Sequence, residues 1–215
     1  MVALLVALLA LAVASCATPA ADDPLADHSF LTQQPCASPC WYGLEPDKSS
    51  ADEVYATLKT LPFVDPATAE ATYIWADDEN AKNVGFGCLH PKDEKCGGSI
   101  ILSQGKLKRL AFSPPRGLTF QKAVEVLSQP DSIQYEPFHA EVGGCVIDLI
   151  WSQKGVYITS IDRTNEEQCR KIRETGYVSP DVTVTQIFYV TPKVFESGPN
   201  GFFNARVPWP GFAKQ

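Results

Sequence analysis

Several features are scarce or missing in this chain, and each absence closes off a class of explanation. No apolar run is long enough to cross a bilayer. The longest, residues 2–14, would reach about 20 Å as a helix, against about 30 Å of hydrocarbon. Basic runs are missing too, and 18 Lys and Arg against 25 Asp and Glu leave a formal charge of −7. An acidic chain of this kind repels phosphate backbones and anionic headgroups, so nucleic acid is not an expected partner. Histidine is sparse, with only His28, His90 and His139, and there is no Gly-x-Ser-x-Gly elbow to present a nucleophile. A calcium loop would need alternating Asp or Asn around a central Gly, and neither Asp77-Asp78-Glu79 nor Asp93-Glu94 has that form. No cofactor is expected.

The first sixteen residues set the compartment. Residues 2–14 are all Val, Ala or Leu, and the run closes on Val13-Ala14-Ser15-Cys16. A short apolar run ending on small residues reads as the core of an export signal. Its last four residues resemble the lipobox of bacterial lipoproteins, although Met1-Val2-Ala3 lacks the Lys or Arg with which such signals begin. That resemblance implies a signal over residues 1–16, lipidation of Cys16, and attachment to a membrane through that lipid anchor. The expected location is extracytoplasmic, at the cell envelope.

The cysteines agree with export. Besides Cys16 there are Cys36, Cys40, Cys88, Cys96, Cys145 and Cys169, an even number in a chain expected to fold in an oxidising compartment. Six cysteines allow fifteen pairings. Local spacing favours Cys36 with Cys40, Cys88 with Cys96, and Cys145 with Cys169. Cys88, His90 and Cys96 offer three soft ligands, but zinc sites space their cysteines more closely and oxidation competes for the pair. No metal is expected there.

After an Ala-, Pro- and Asp-rich stretch over residues 17–35, read as a tether, the folded part is expected to start at Cys36-Ala-Ser-Pro-Cys40-Trp41-Tyr42-Gly43. Ser50-Ala-Asp-Glu53 is a capping box, followed by Ala51, Val54, Tyr55, Leu58 and Leu61 at helical spacing, with Pro62 ending the helix. Strand character follows at residues 71–75, 84–89, 99–102 and 107–112, the last two joined by Ser103-Gln104-Gly105. The pattern then starts again. Thr119 caps a helix carrying Phe120, Ala123, Val124 and Leu127, Pro130 ends it, and strands follow at residues 133–135, 145–151 and 156–161. A second capping box, Thr164-Asn-Glu-Glu167, opens a short helix, residues 182–190 read as a last strand, and an aromatic tail closes the chain with Trp209-Pro-Gly-Phe212.

The expected fold class is therefore α+β. Two tandem units, residues 36–115 and 116–215, each pack a helix on an antiparallel sheet, and the second adds a C-terminal strand and the tail. The stretch Gly117-Leu-Thr119, Val124, Leu127 and Pro130 resembles the helix opening of the small outer-membrane assembly lipoproteins of the SmpA/OmlA type. Those share a fold with the beta-lactamase inhibitor protein, itself a tandem repeat of helix and sheet. The lipobox followed by Cys36-x3-Cys40-Trp41-x-Gly43 is similar to the plan of lipoproteins from Chloroflexi-type bacteria. The resemblance implies the fold; the inhibitor's contact residues find no match.

With helices on one side only, the other sheet face must meet solvent, the tail or a partner. Aromatic side chains make good anchors on such a face, and the candidates are Trp75, Tyr135, Trp151, Tyr157 and Trp209. The expectation is a non-enzymatic binding or scaffolding lipoprotein with a protein or peptide partner. The rival is an envelope hydrolase that gathers His90 or His139 with a Ser and a carboxylate in a cleft.

Overall fold

The computed structural model describes residues 27–73, 81–89, 97–115, 117–137, 144–162, 166–196 and 206–212. Its helices are α1 (Ser29–Thr32), α2 (Ala51–Thr60), α3 (Phe120–Leu127) and α4 (Glu166–Thr175). The strands are β1 (Val64–Tyr73), β2 (Lys82–Cys88), β3 (Gly97–Ser103), β4 (Lys106–Phe112), β5 (Ser132–Pro137), β6 (Cys145–Trp151), β7 (Val156–Asp162), β8 (Gln186–Val190) and β9 (Val207–Pro208). All nine join one antiparallel sheet in the order β1-β2-β3-β4-β8-β7-β6-β5-β9. The fold is α+β.

The local signals act as their chemistry requires. Ser50 accepts the Glu53 amide while Glu53 accepts the Ser50 amide, so two otherwise orphaned donors are satisfied at the start of α2. Thr119 does half of this at α3, accepting the Lys122 amide. Only Val54 and Leu58 of α2 are fully buried, against four residues of the shorter α3.

Directly opposed residues in an antiparallel sheet share a face, so the register sorts the side chains. Phe86, Gly98, Phe112, Ile187, Ile158, Leu149 and Ile133 form one continuous row. All but Gly98 belong to the main core with the buried faces of α2, α3 and α4. Gly98 has no side chain because a Cβ there would strike the Phe86 ring and the Ala111 carbonyl.

The N-terminal segment completes this side. Trp41 is fully buried and meets Phe63, Phe86 and Phe112 at ring-centroid distances of 6.2, 5.4 and 5.8 Å. Its indole N–H donates to Asp27 at 2.7 Å, and Asp27 also accepts the Ser29 amide at 2.9 Å. Phe30 is as buried as Trp41, so the chain is already in the core within the stretch read as a tether. The polar composition of residues 17–35 hid one aromatic anchor and the carboxylate that fixes it.

Two disulfides lie wholly among the described residues, Cys36–Cys40 and Cys145–Cys169, and the second ties α4 to β6. Cys88 is also disulfide-bonded; Cys96, the partner expected for it, and Cys16 lie outside the described residues. The last long strand is shorter than residues 182–190 suggested. Val182 accepts the Phe120 amide and Val184 donates to Leu118, so this stretch serves the loop before α3 rather than the sheet. The tail packs: β9 pairs with β5 at the sheet edge, the Trp209 indole N–H donates to Gln129 at 2.9 Å, and Phe212 bridges to Val178. No helix among the described residues is long and apolar enough to cross a membrane.

Candidate functional site on the second sheet face

The other face is built from the alternate positions of the same strands. One row across it runs Gly85, Ser99, Ala111, Phe188, Tyr157 and Ile150. A neighbouring row runs Asn83, Ile101, Arg109 and Val190. A third, over β5 to β8, holds Gln134, Asp148, Thr159 and Gln186. The face thus changes character along its length, from small residues over β2 to β4 to aromatic and polar ones over β5 to β8.

The β5–β8 half is closed. The 3-10 segment Pro192–Glu196 brings Phe195 onto a small second core of Ile150, Tyr157 and Val190, with Phe188 packed alongside. Tyr157 and Phe188 are stacked with centroids 4.3 Å apart and planes 5° apart, and Phe195 meets Tyr157 edge-on. Burial raises the Tyr157 hydroxyl's pKa above its ordinary value.

Asp148 lies in the same half and is 2 % exposed. Burial pushes its carboxyl up to about 7, helped by the nearby Glu136 charge and opposed by the Thr159 hydroxyl, which donates to it at 2.5 Å. Such a carboxyl holds a proton far into the neutral range, but a group so enclosed cannot meet a substrate. Its role is internal to the sheet.

The β1–β4 half differs. Gly85 has nothing among the described residues within 4 Å of where a Cβ would stand. Ser99 and Ile101 are partly exposed, while Ala111 beside Phe188 is buried. Thr68, from the irregular part of β1, closes one side by accepting the Gly87 amide at 2.7 Å. Arg109 stands at the other side, its guanidinium carbon 5.9 Å from the Phe188 centroid. Its Nε is buried without a hydrogen-bond partner, and no ion pair among the described residues uses its charge.

The aromatic candidates fall elsewhere. Trp151, 1 % exposed, and Tyr135, partly buried, belong to the helix side, because their alternation places them opposite Val156 and Ile147 of the main core. Tyr157 is on the second face but only 3 % exposed, beneath Phe195. Trp209 is partly buried in the packed tail, and Trp75 lies outside the described residues. These large rings are spent on cores, where their apolar area stabilises most. What sequence reasoning passed over is the pattern of small residues. Gly85 and Gly87 face Ser99 and Gly97 across two strands, a sign that this part of the face is left unfilled.

His28 is the one histidine among the described residues; it precedes α1, with Nε2 buried and unpaired. His90 and His139 lie outside them. No cluster of three metal-ligating side chains occurs among the described residues. Compared with known proteins, the chain matches no family model, no curated protein and no solved structure.

Proposed function

We propose that this chain is an acyl-anchored extracytoplasmic lipoprotein, non-enzymatic, that binds or scaffolds a partner at the cell envelope through the β1–β4 half of its second sheet face. The observation that carries the reading is the unequal cover of the sheet. α2, α3, α4 and Trp41 pack into one core on the first side, and Phe195 closes the β5–β8 half of the second. Among the described residues nothing stands within 4 Å of where a Gly85 Cβ would be.

The oxidised cysteines support export, since structural disulfides persist outside the reducing cytosol. A tandem origin is supported by the element order: α2 then β1 to β4, α3 then β5 to β8 with α4 inserted between β7 and β8, and the two sets meeting at β4 and β8. Ser50 and Thr119 cap equivalent helices in the two sets. This is the arrangement that the resemblance to SmpA/OmlA-type lipoproteins and the beta-lactamase inhibitor fold implies. The hydrolase reading gains nothing from Asp148, which is out of a substrate's reach.

A photo-crosslinking residue placed at Ser99, in cells producing the full chain, tests the surface, with Lys122 on α3 as control. Adducts from Ser99 and not from Lys122 are expected, together with a membrane-bound form whose intact mass begins at an acylated Cys16. A soluble pool starting at an unmodified Met1 overturns the anchor, and adducts confined to Lys122 overturn the face.

A further inference from the structure

The open half of the second face carries a chemical preference, inferred on the basis of its proposed role in binding a partner. Its floor is made of small residues. Gly85 and Ser99 pair across β2 and β3, and Ala111 continues the row on β4. Three strands at about 4.8 Å spacing make a shallow strip about 10 Å across. The stacked pair Phe188 and Tyr157 ends it on one side, and Thr68 limits it over Gly87. Small molecules are held in concave, enclosing sites, whereas a strip this open fits a segment of another protein.

Arg109 decides which segment. It borders the floor between Ile101 and Val190, two apolar neighbours that cannot pair with its charge. Its guanidinium lies against Phe188 and within reach of the Tyr157 hydroxyl, contacts that orient the planar group without neutralising it. Five of the chain's other Lys and Arg side chains, Lys48, Lys108, Lys122, Arg170 and Lys171, sit in ion pairs with Glu45, Asp47, Glu125, Glu174 and Glu167. Arg109 has no carboxylate among the described residues, although its Nε is sealed from water. The sealed Nε is beyond a partner's reach, but Arg109 as a whole is partly exposed, and a planar guanidinium is shaped for a carboxylate.

We propose that the β2–β4 strip is the docking surface for an extended segment of a partner protein that places an Asp or Glu carboxylate on the Arg109 guanidinium and small or apolar side chains over Gly85 and Ser99. The charge is complementary even though the whole chain is acidic, so the general field disfavours acidic partners and Arg109 selects for a carboxylate at one position.

The test is selection of random twelve-residue peptides displayed on phage against the full chain, with Arg109→Gln and Gly85→Val as counter-targets. Gly85→Val fills the open space with a residue suited to a strand, so it blocks docking without disturbing the core. Enriched peptides are expected to share one Asp or Glu beside small or apolar residues. They should lose about tenfold or more in affinity when that acid is changed to its amide, and lose as much against Arg109→Gln. The peptide-side change needs no variant protein to fold. Peptides that carry no shared acid, or bind Arg109→Gln unchanged, yet fail against Gly85→Val overturn the carboxylate preference and leave the binding face standing. Peptides that bind Gly85→Val as well as the parent chain, or a selection that enriches nothing, overturn the face itself and the carboxylate preference with it.

Discussion

The two faces of the sheet come from the same strands, residue by residue in alternation, yet are built to different standards. On the helix side, large apolar residues meet across every strand from β2 to β5, and the one glycine in the row, Gly98, makes room for Phe86. On the other, the row passes from Gly85, opposite Glu70 of β1, through Ser99 and Ala111 to a stack of rings, and among the described residues Phe195 covers the end at the rings. A fold of this size needs one extensive core to stand. The second face is free of that duty over β2 to β4, and there a glycine and an arginine without a carboxylate among the described residues are tolerated.

The largest effect should fall on the helix side. Trp41→Ala removes a fully buried indole that touches four rings and bonds Asp27, and is expected to cost about 3–5 kcal/mol in urea unfolding. A loss under about 1 kcal/mol would mean that Trp41 is not central to that core. Opening Cys145–Cys169 with paired Ala substitutions should cost about 3.5 kcal/mol, as loop closure over a separation of 24 residues predicts. Opening Cys36–Cys40, with a separation of 4, should cost about 2 kcal/mol. The reverse order would show that the short clip, whose Ser38 meets the Tyr189 hydroxyl at 2.8 Å, acts through packing rather than through the unfolded chain.

Gly98→Ala and Gly85→Val set the faces against each other at adjacent positions. The first drives a methyl into Phe86 and the Ala111 carbonyl and should cost about 1–3 kcal/mol. Asp148 sharpens the difference through pH. Its carboxyl keeps a proton in the folded state up to about 7, while the unfolded chain releases it near 3.8. Between those values the native state binds more protons, so stability falls as pH rises, with a slope of at most about 1.4 kcal/mol per pH unit. Asp148→Asn should flatten that slope in urea titrations between pH 4 and 7; a wild-type profile that is level or rises over this window contradicts the assignment. Gly85→Val should change stability least, within about 0.5 kcal/mol. A larger loss would mean the space above it is already used.

Much of the architecture was legible along the chain. Ser50 and Thr119 announced their helices because capping is satisfied within one turn and owes nothing to distant residues. The strand over residues 145–151 was readable to the residue, since Cys145, Ile147, Leu149 and Trp151 alternate with Val146, Asp148 and Ile150. Elsewhere the reading failed where a partner far along the chain decided the outcome. Residues 182–184 have the β-branched composition of a strand but bond the loop before α3. Phe30 and Asp27 sit in a polar stretch and are fixed by Trp41. The candidate aromatics went to cores because period-two alternation tells which residues share a face, not which face is covered.

The residues themselves settled what depends on neighbours in the chain: the helix starts, the strand alternation, and the local spacing of Cys36 and Cys40. Only tertiary structure decided which side of the sheet became the core, how Trp41 and Phe195 were allotted between the two sides, and that Arg109, with no carboxylate among the described residues, stands beside a floor of glycine, serine and alanine. The reason is physical. Local hydrogen bonding and side-chain period are fixed within a few residues, whereas cover, charge pairing and empty space are set by segments that meet only when the chain has closed on itself.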